Sequence, residues 1–235
     1  HAGRFYEEDG ESVRVGINRG IKFLKNGFLN FAGTFRFQQP TYRGGTYKGT
    51  VYNNNTITDD SLIKARNFKR TNLSNAGSSA QTGFNSSMNG GYTFNKRTEL
   101  FWTAGVNRRK TTFSNNHVFP KNINRVNLQL FPNGFKSKPI IRSTDVWGIA
   151  GIKGKTKTNW NWEYSSTYGN NRGRYSIRET NNASQEFTLG KDAPTSFYTG
   201  SLSYGQLINS IQFTKSLFAE SKKMLNLAFG YEWRL

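Results

Sequence analysis

LNLAFGYEWR, residues Leu225 to Arg234, alternates without a break. Leu225, Leu227, Phe229, Tyr231 and Trp233 are large and apolar, whereas Asn226, Ala228, Gly230, Glu232 and Arg234 are small or polar. A period of two puts the two sets on opposite faces of a strand. An apolar face of this kind has two destinations: the core of a sandwich, or the lipid around an outer-membrane barrel.

Seven further segments carry the same period. SVRVGINRG sets Val13, Val15 and Ile17 against Arg14, Gly16 and Asn18. FLNFAGTFRFQ sets Leu29, Phe31, Gly33, Phe35 and Phe37 against Asn30, Ala32, Thr34, Arg36 and Gln38. FNSSMNGGYTF holds Phe84, Met88, Tyr92 and Phe94 in phase, and Asn95-Lys96-Arg97 reads as a tight turn into ELFWTAGVN, where Leu100, Trp102, Ala104 and Val106 align. DVWGIAGIKG is the least regular, because Trp147 and Ile149 fall out of phase with Val146 and Ile152. NWNWEYSSTYG sets Trp160, Trp162, Tyr164 and Tyr168 against Asn161, Glu163, Ser165 and Thr167. SFYTGSLSYGQLINSIQF changes phase near Leu207, which fits a bulge.

The connections alternate in length. Those after the first, third, fifth and seventh strands are short. Those after the second, fourth and sixth are long, at about 40–81, 112–142 and 170–195, and rich in Asn, Gly, Ser, Thr and basic residues. Long loops without structure of their own are uncommon in compact soluble domains. Short turns at one end and long loops at the other match outer-membrane barrels. The polar sides of the strands are rich in Asn, Ser, Thr, Gly and Gln, as suits a wet lumen. The apolar sides end in aromatic residues, as suits girdles at the lipid–water boundary.

Composition narrows the classes. Aromatic residues make up 15% of a chain that is only 34% hydrophobic, so the apolar mass arrives as rings scattered among polar residues. No run approaches the roughly 18 apolar residues of a spanning helix, which leaves barrels untouched because their strands alternate. Cysteine is absent and the two histidines, His1 and His117, stand far apart without ligand spacing, so no metal or cofactor is expected. No P-loop, G-x-S-x-G or H-E-x-x-H occurs, and the glycine-rich Gly44–Gly49 opens no helix, so nothing argues for an enzyme. Asp59-Asp60 and Glu7-Glu8 read as acids that solvate loops. The net charge of +19 invites a nucleic-acid reading. No RRM, zinc-finger or helix-turn-helix signature accompanies it, and the rings belong to lipid-type stripes, so nucleic acid is not expected. The charge falls at the rims instead: the three long loops hold fifteen Lys and Arg against five acids, and 112–142 has no acid at all. Such rims suit phosphates of outer-membrane lipid or lipopolysaccharide.

Several stretches resemble the barrel domain of TonB-dependent outer-membrane receptors, including the large proteobacterial and Bacteroidetes-type members. GFLNFAGTFRFQQPTYRGG is similar to a family strand entering an Arg- and Gly-containing outer loop. FPNGFKSKP followed by STDVWGIAGIKG, and WNWEYSSTYGNN, are similar to later strands. NNASQEFTLGKDAPTSFYTGSLSYGQL and LNLAFGYEWR, with its Phe-Gly-x-Glu-x-Arg ending, are the most specific. The resemblance runs from about residue 12 onward in one linear order. It implies an outer-membrane barrel of about 22 strands around a plug. Such receptors import large, scarce ligands (iron chelates, cobalamin, oligosaccharides, peptides) with energy from the TonB complex, in some members under a surface lipoprotein.

The chain is therefore expected to be all-β: an antiparallel transmembrane barrel segment over 1–235, with plug and last strands absent. Arg14, Arg36, Glu163, Glu232 and Arg234 are the expected lumen-facing residues. Phe31, Phe35, Trp102, Trp160, Trp162, Leu227, Phe229, Tyr231 and Trp233 are the expected lipid-facing and girdle residues. The rival readings are a passive porin-like barrel and a secreted, soluble glycan-binding β-sandwich.

Overall fold

The computed structural model describes residues 2–3, 8–217 and 225–235; His1 and Glu7 lie outside them. Nine strands form one antiparallel sheet in chain order: β1 (Ala2–Gly3), β2 (Ser12–Phe23), β3 (Gly27–Gln38), β4 (Ala80–Asn95), β5 (Thr98–Thr112), β6 (Lys138–Lys155), β7 (Asn161–Arg178), β8 (Ser196–Leu217) and β9 (Leu225–Arg234). Each strand pairs only with its neighbours in sequence, and the sheet is not closed. The all-β, antiparallel expectation holds. Its eight strands are β2 to β9, and β1 adds a short pairing on the edge of β2.

Three described turns are short: 24–26, 96–97 and 156–160. At Lys96-Arg97 the Asn95 side chain accepts from the Arg97 N–H at 2.9 Å, a side-chain mimic of a backbone turn. At the opposite end the connections run 39–79, 113–137 and 179–195. β6 and β7 extend further towards these loops than the alternation indicated, because Arg142, Arg172 and Arg174 interrupt the apolar pattern without interrupting the ladder.

The register sorts the side chains strictly. Phe31, Phe35, Trp102, Trp162, Leu227, Phe229, Tyr231 and Trp233 share one face with Val15, Ile17, Met88 and Ile152. Trp160, one residue before β7, joins them: its ring meets Phe229 edge-on at 5.5 Å. Arg19, opposite Phe31, is a cation within this band. Nothing in the described residues covers the apolar face, and Ile17 (72%), Phe229 (59%) and Tyr231 (67%) are widely exposed.

Two departures from alternation have structural reasons. Trp147 and Ile149 lie on the polar face; the Trp147 ring lies across Gly105, its cross-strand partner, where a Cβ would come within 2.7 Å of the indole. In β8 the ladder is continuous through Leu207, and the register shift sits instead at Thr199, beside Gly200 at φ +126°. The apparent phase change arises because Leu202 and Tyr204 stand on the polar face, where β8 runs past the apolar band.

Glycine opposite a large ring also shapes the apolar face. A Cβ on Gly90 would sit 2.3 Å from Trp102 Cζ2 and 2.9 Å from the Phe28 carbonyl, so only glycine lets the indole lie flat and reach Phe23 at 6.0 Å. Gly169 has open space around it. Gly90→Ala is expected to destabilise the sheet by about 1–3 kcal/mol and Gly169→Ala to be near neutral, as read from denaturant unfolding of both variants.

Candidate functional site

On the other face, the register aligns Arg14, Arg36, Glu163, Glu232 and Arg234. They do not form one site. Arg14 and Arg36 are direct partners near the long-loop end and, with Arg109, border a depression of about 300 Å³. Glu163 lies across from Lys153 and Gln212, while Glu232 and Arg234 pair with each other at 2.7 Å on β9. The four acids of the described strands, Glu99, Asp145, Glu163 and Glu232, are all on this face. Asp145 accepts from Asn107 at 3.0 Å and from Asn171, so a polar ladder crosses β5, β6 and β7.

The deepest burial lies in the long loops rather than against the sheet. Val51, Val126, Asp59 and Asn127 are essentially inaccessible. In the first loop, α1 (Thr56–Ala65) starts at Asn55, whose side chain accepts from the N–H groups of Ile57 and Thr58. That start turns Asp59 inward, where its carboxylate accepts the backbone N–H groups of Val51 (3.0 and 3.1 Å), Tyr52 (2.6 Å) and Asn53 (3.3 Å). Asp59 is thus a structural anchor and not a solvating acid. Asp60, 66% exposed and paired with Arg70 at 3.3 Å, matches the sequence expectation. Burial alone would raise the Asp59 pKa. The N–H donors of Tyr52, Val51 and Asn53, aided by Arg70, outweigh it and hold the pKa below 3.8.

The second loop, free of acids, settles two of its cations on oxygens of the first. Lys136 donates to the carbonyls of Asn72 and Ser74, both at 2.7 Å, and Lys121 to the Thr50 hydroxyl at 3.0 Å. Tyr47 stacks on Phe119 with ring centroids 4.4 Å apart. Asn127 ties the second loop to the third: its side chain donates to the Gly190 carbonyl at 2.9 Å while accepting from Gln129 and Leu130. His117 is wedged between Phe68 and Phe119, with Nε2 3.0 Å from the Asn133 carbonyl.

These ties leave a cavity of about 860 Å³ at the loop end of the polar face, reaching Ile177 and Phe197. Its lining includes Asn115, Asn116, Asn122, Asn124, Asn181 and Asn182, with His117 and Arg125, and no acid. Amides offer donors and acceptors together, and Phe197 adds an apolar surface, so the cavity fits a polar, hydroxyl- or amide-bearing ligand. The Asn-rich runs were visible in the sequence, but their convergence was not. Among the described residues no cluster of His, Cys, Asp or Glu is arranged to hold a metal ion. No protein-family model matches the chain, and no curated protein matches it in sequence.

Burial holds the His117 pKa below 6.5, against the pull of the Asn133 carbonyl, so the native ring stays neutral. A group depressed in the folded state contributes stability above its unfolded pKa and loses it as pH falls through the folded one. The loop assembly is therefore expected to loosen below about pH 6.5, seen as faster amide exchange at Val118 and Phe135. His117→Phe is expected to flatten this dependence between pH 7.5 and 5.

Proposed function

We propose that this chain forms part of the barrel wall of a TonB-dependent transporter in the outer membrane of a Gram-negative bacterium, importing a large, scarce ligand such as an iron chelate, cobalamin, an oligosaccharide or a peptide. The observation that carries it is the two-faced open meander: one face apolar, aromatic and uncovered, the other polar, with short turns at one end and long, mutually packed loops at the other. Lipid satisfies such an apolar face without a second sheet. The open edges, β9 at one side and β2 beyond its short pairing with β1 at the other, are completed by further strands of a larger barrel. The polar face lines the lumen against a plug. The asparagine-lined cavity makes early contact with ligand, beneath a surface lipoprotein where one is present. The TonB complex acts through parts of the protein outside this sheet.

The test uses the intact protein that contains this chain. It is expected in the outer-membrane fraction, to stay folded only in detergent or bilayer, and to support ligand uptake that stops when TonB is deleted. Uptake that survives the deletion points to a passive porin-like barrel. A monodisperse, folded protein in plain buffer points to a soluble sandwich.

A further inference from the structure

Apart from Arg19 on β2 and Lys215 on β8, the cations on the apolar face of the described strands gather at the long-loop end. Beyond the Val106–Val146 pair, the next same-face positions towards the long loops are Arg108 on β5, Thr144 on β6 and Arg172 on β7. The row after that is Lys110, Arg142 and Arg174, directly opposite one another. Neighbouring strands stand about 5 Å apart and same-face residues of one strand about 7 Å apart, so five cations share a patch three strands wide. All five are exposed. None forms an ion pair among the described residues, and the nearest strand acid, Asp145, points to the other face. Ser176, which accepts from Arg142 at 3.5 Å, and Ser201 and Ser203 on β8 flank the patch with hydroxyls. The apolar band begins one row below with Val106 and Val146, where β7 contributes Asn170, and continues at Tyr168 in the row after that.

Five like charges held together without a counter-charge repel one another, and an anion relieves that repulsion. Guanidinium forks match phosphate oxygens in a bidentate way, and the position of the patch selects which phosphate. It lies on the lipid-side face and at the long-loop rim, with acyl-sized apolar surface immediately beside it. A soluble anion needs no such neighbour, whereas a phosphorylated lipid needs both. We infer that Arg108, Lys110, Arg142, Arg172 and Arg174 form a binding site for the phosphate groups of lipopolysaccharide in the outer leaflet, whose acyl chains lie along the adjacent apolar band. This rests on the membrane-barrel reading above.

The experiment takes the intact protein in nanodiscs and measures binding of hexa-acyl lipid A, its dephosphorylated form and phosphatidylglycerol. Lipid A is expected to bind at least tenfold more tightly than either of the others. The variant R108Q/K110Q/R142Q/R172Q/R174Q is expected to lose that advantage while its migration on unheated SDS gels still reports a folded barrel. A control, R14Q/R36Q/R109Q on the opposite face, is expected to keep it. If the five-site variant does not fold, Arg142→Gln alone is read for a smaller loss of the same kind. Equal binding of the dephosphorylated lipid, or of phosphatidylglycerol, overturns the inference, and so does full lipid A binding by the folded variant. A protein that proves water-soluble fails at the earlier step instead, so the two readings fall by different results.

Discussion

If the apolar face meets lipid, as proposed, Ala104→Arg is expected to lower the stability of the membrane-inserted protein by about 2–4 kcal/mol, whereas Thr103→Arg, one residue away, is expected to cost well under about 1 kcal/mol. Ala104 stands mid-strand on the apolar face, between Trp102 and Val106 on β5 and across from Met88 and Gly148. Thr103 is on the polar face, across from Asn89 and Ile149. Gly148 leaves room beside Ala104, so the cost there reports the charge rather than overpacking. Reversible unfolding from bilayers reads both variants, and equal costs at the two positions would sink the assignment of faces. Arg19, a cation already in the band, gives the reverse comparison. It lies on β2, beyond the two residues that β1 pairs with and so at the sheet edge, and Arg19→Leu is expected to stabilise the inserted form.

The second large effect belongs to Asp59. Asp59→Asn keeps the shape but removes the charge that three successive N–H groups converge on, and it turns one oxygen into a donor facing donors. Hydrogen bonds to a charged group contribute about 1.5–3 kcal/mol each, and their losses overlap here, so a cost of about 3 kcal/mol is expected. The damage stays local. Proteolysis within 39–79 is expected to rise roughly 100-fold, with no change in the migration of the unheated barrel on SDS gels. The wild type approaches the same state in acid. Because the native carboxyl titrates below 3.8, its contribution is complete above that pH and is lost as pH falls through the native value. Equal proteolysis rates for Asp59→Asn and the wild type at pH 7 would show that Asp59 does not hold the loop.

Both effects trace to parts of the molecule that differed in legibility. The faces of β2, β3, β4, β5 and β9 were readable because period two is a property of a single strand, visible in any window of eight residues. The exceptions, Trp147 on β6 and Tyr204 on β8, were opaque because each depends on a neighbour's glycine or on where a long strand outruns the band. Asp59 looked like half of an exposed acidic pair. Only the turn imposed by the Asn55 cap, and the path of Val51 to Asn53 over it, put the carboxylate inside.

The alternation by itself therefore determined that this is an antiparallel all-β chain with one apolar and one polar side, joined by short turns and long loops. Tertiary structure alone decided what those sides assemble: seven asparagines from three loops around one cavity, Asn75 of the first loop among them, Arg14 beside Arg36 and Arg109, and five cations in two rows across β5, β6 and β7. The reason is physical. Which face a residue takes depends on its own strand, but which residues stand beside it depends on register between strands and on how loops close, and no local stretch of chain carries that information.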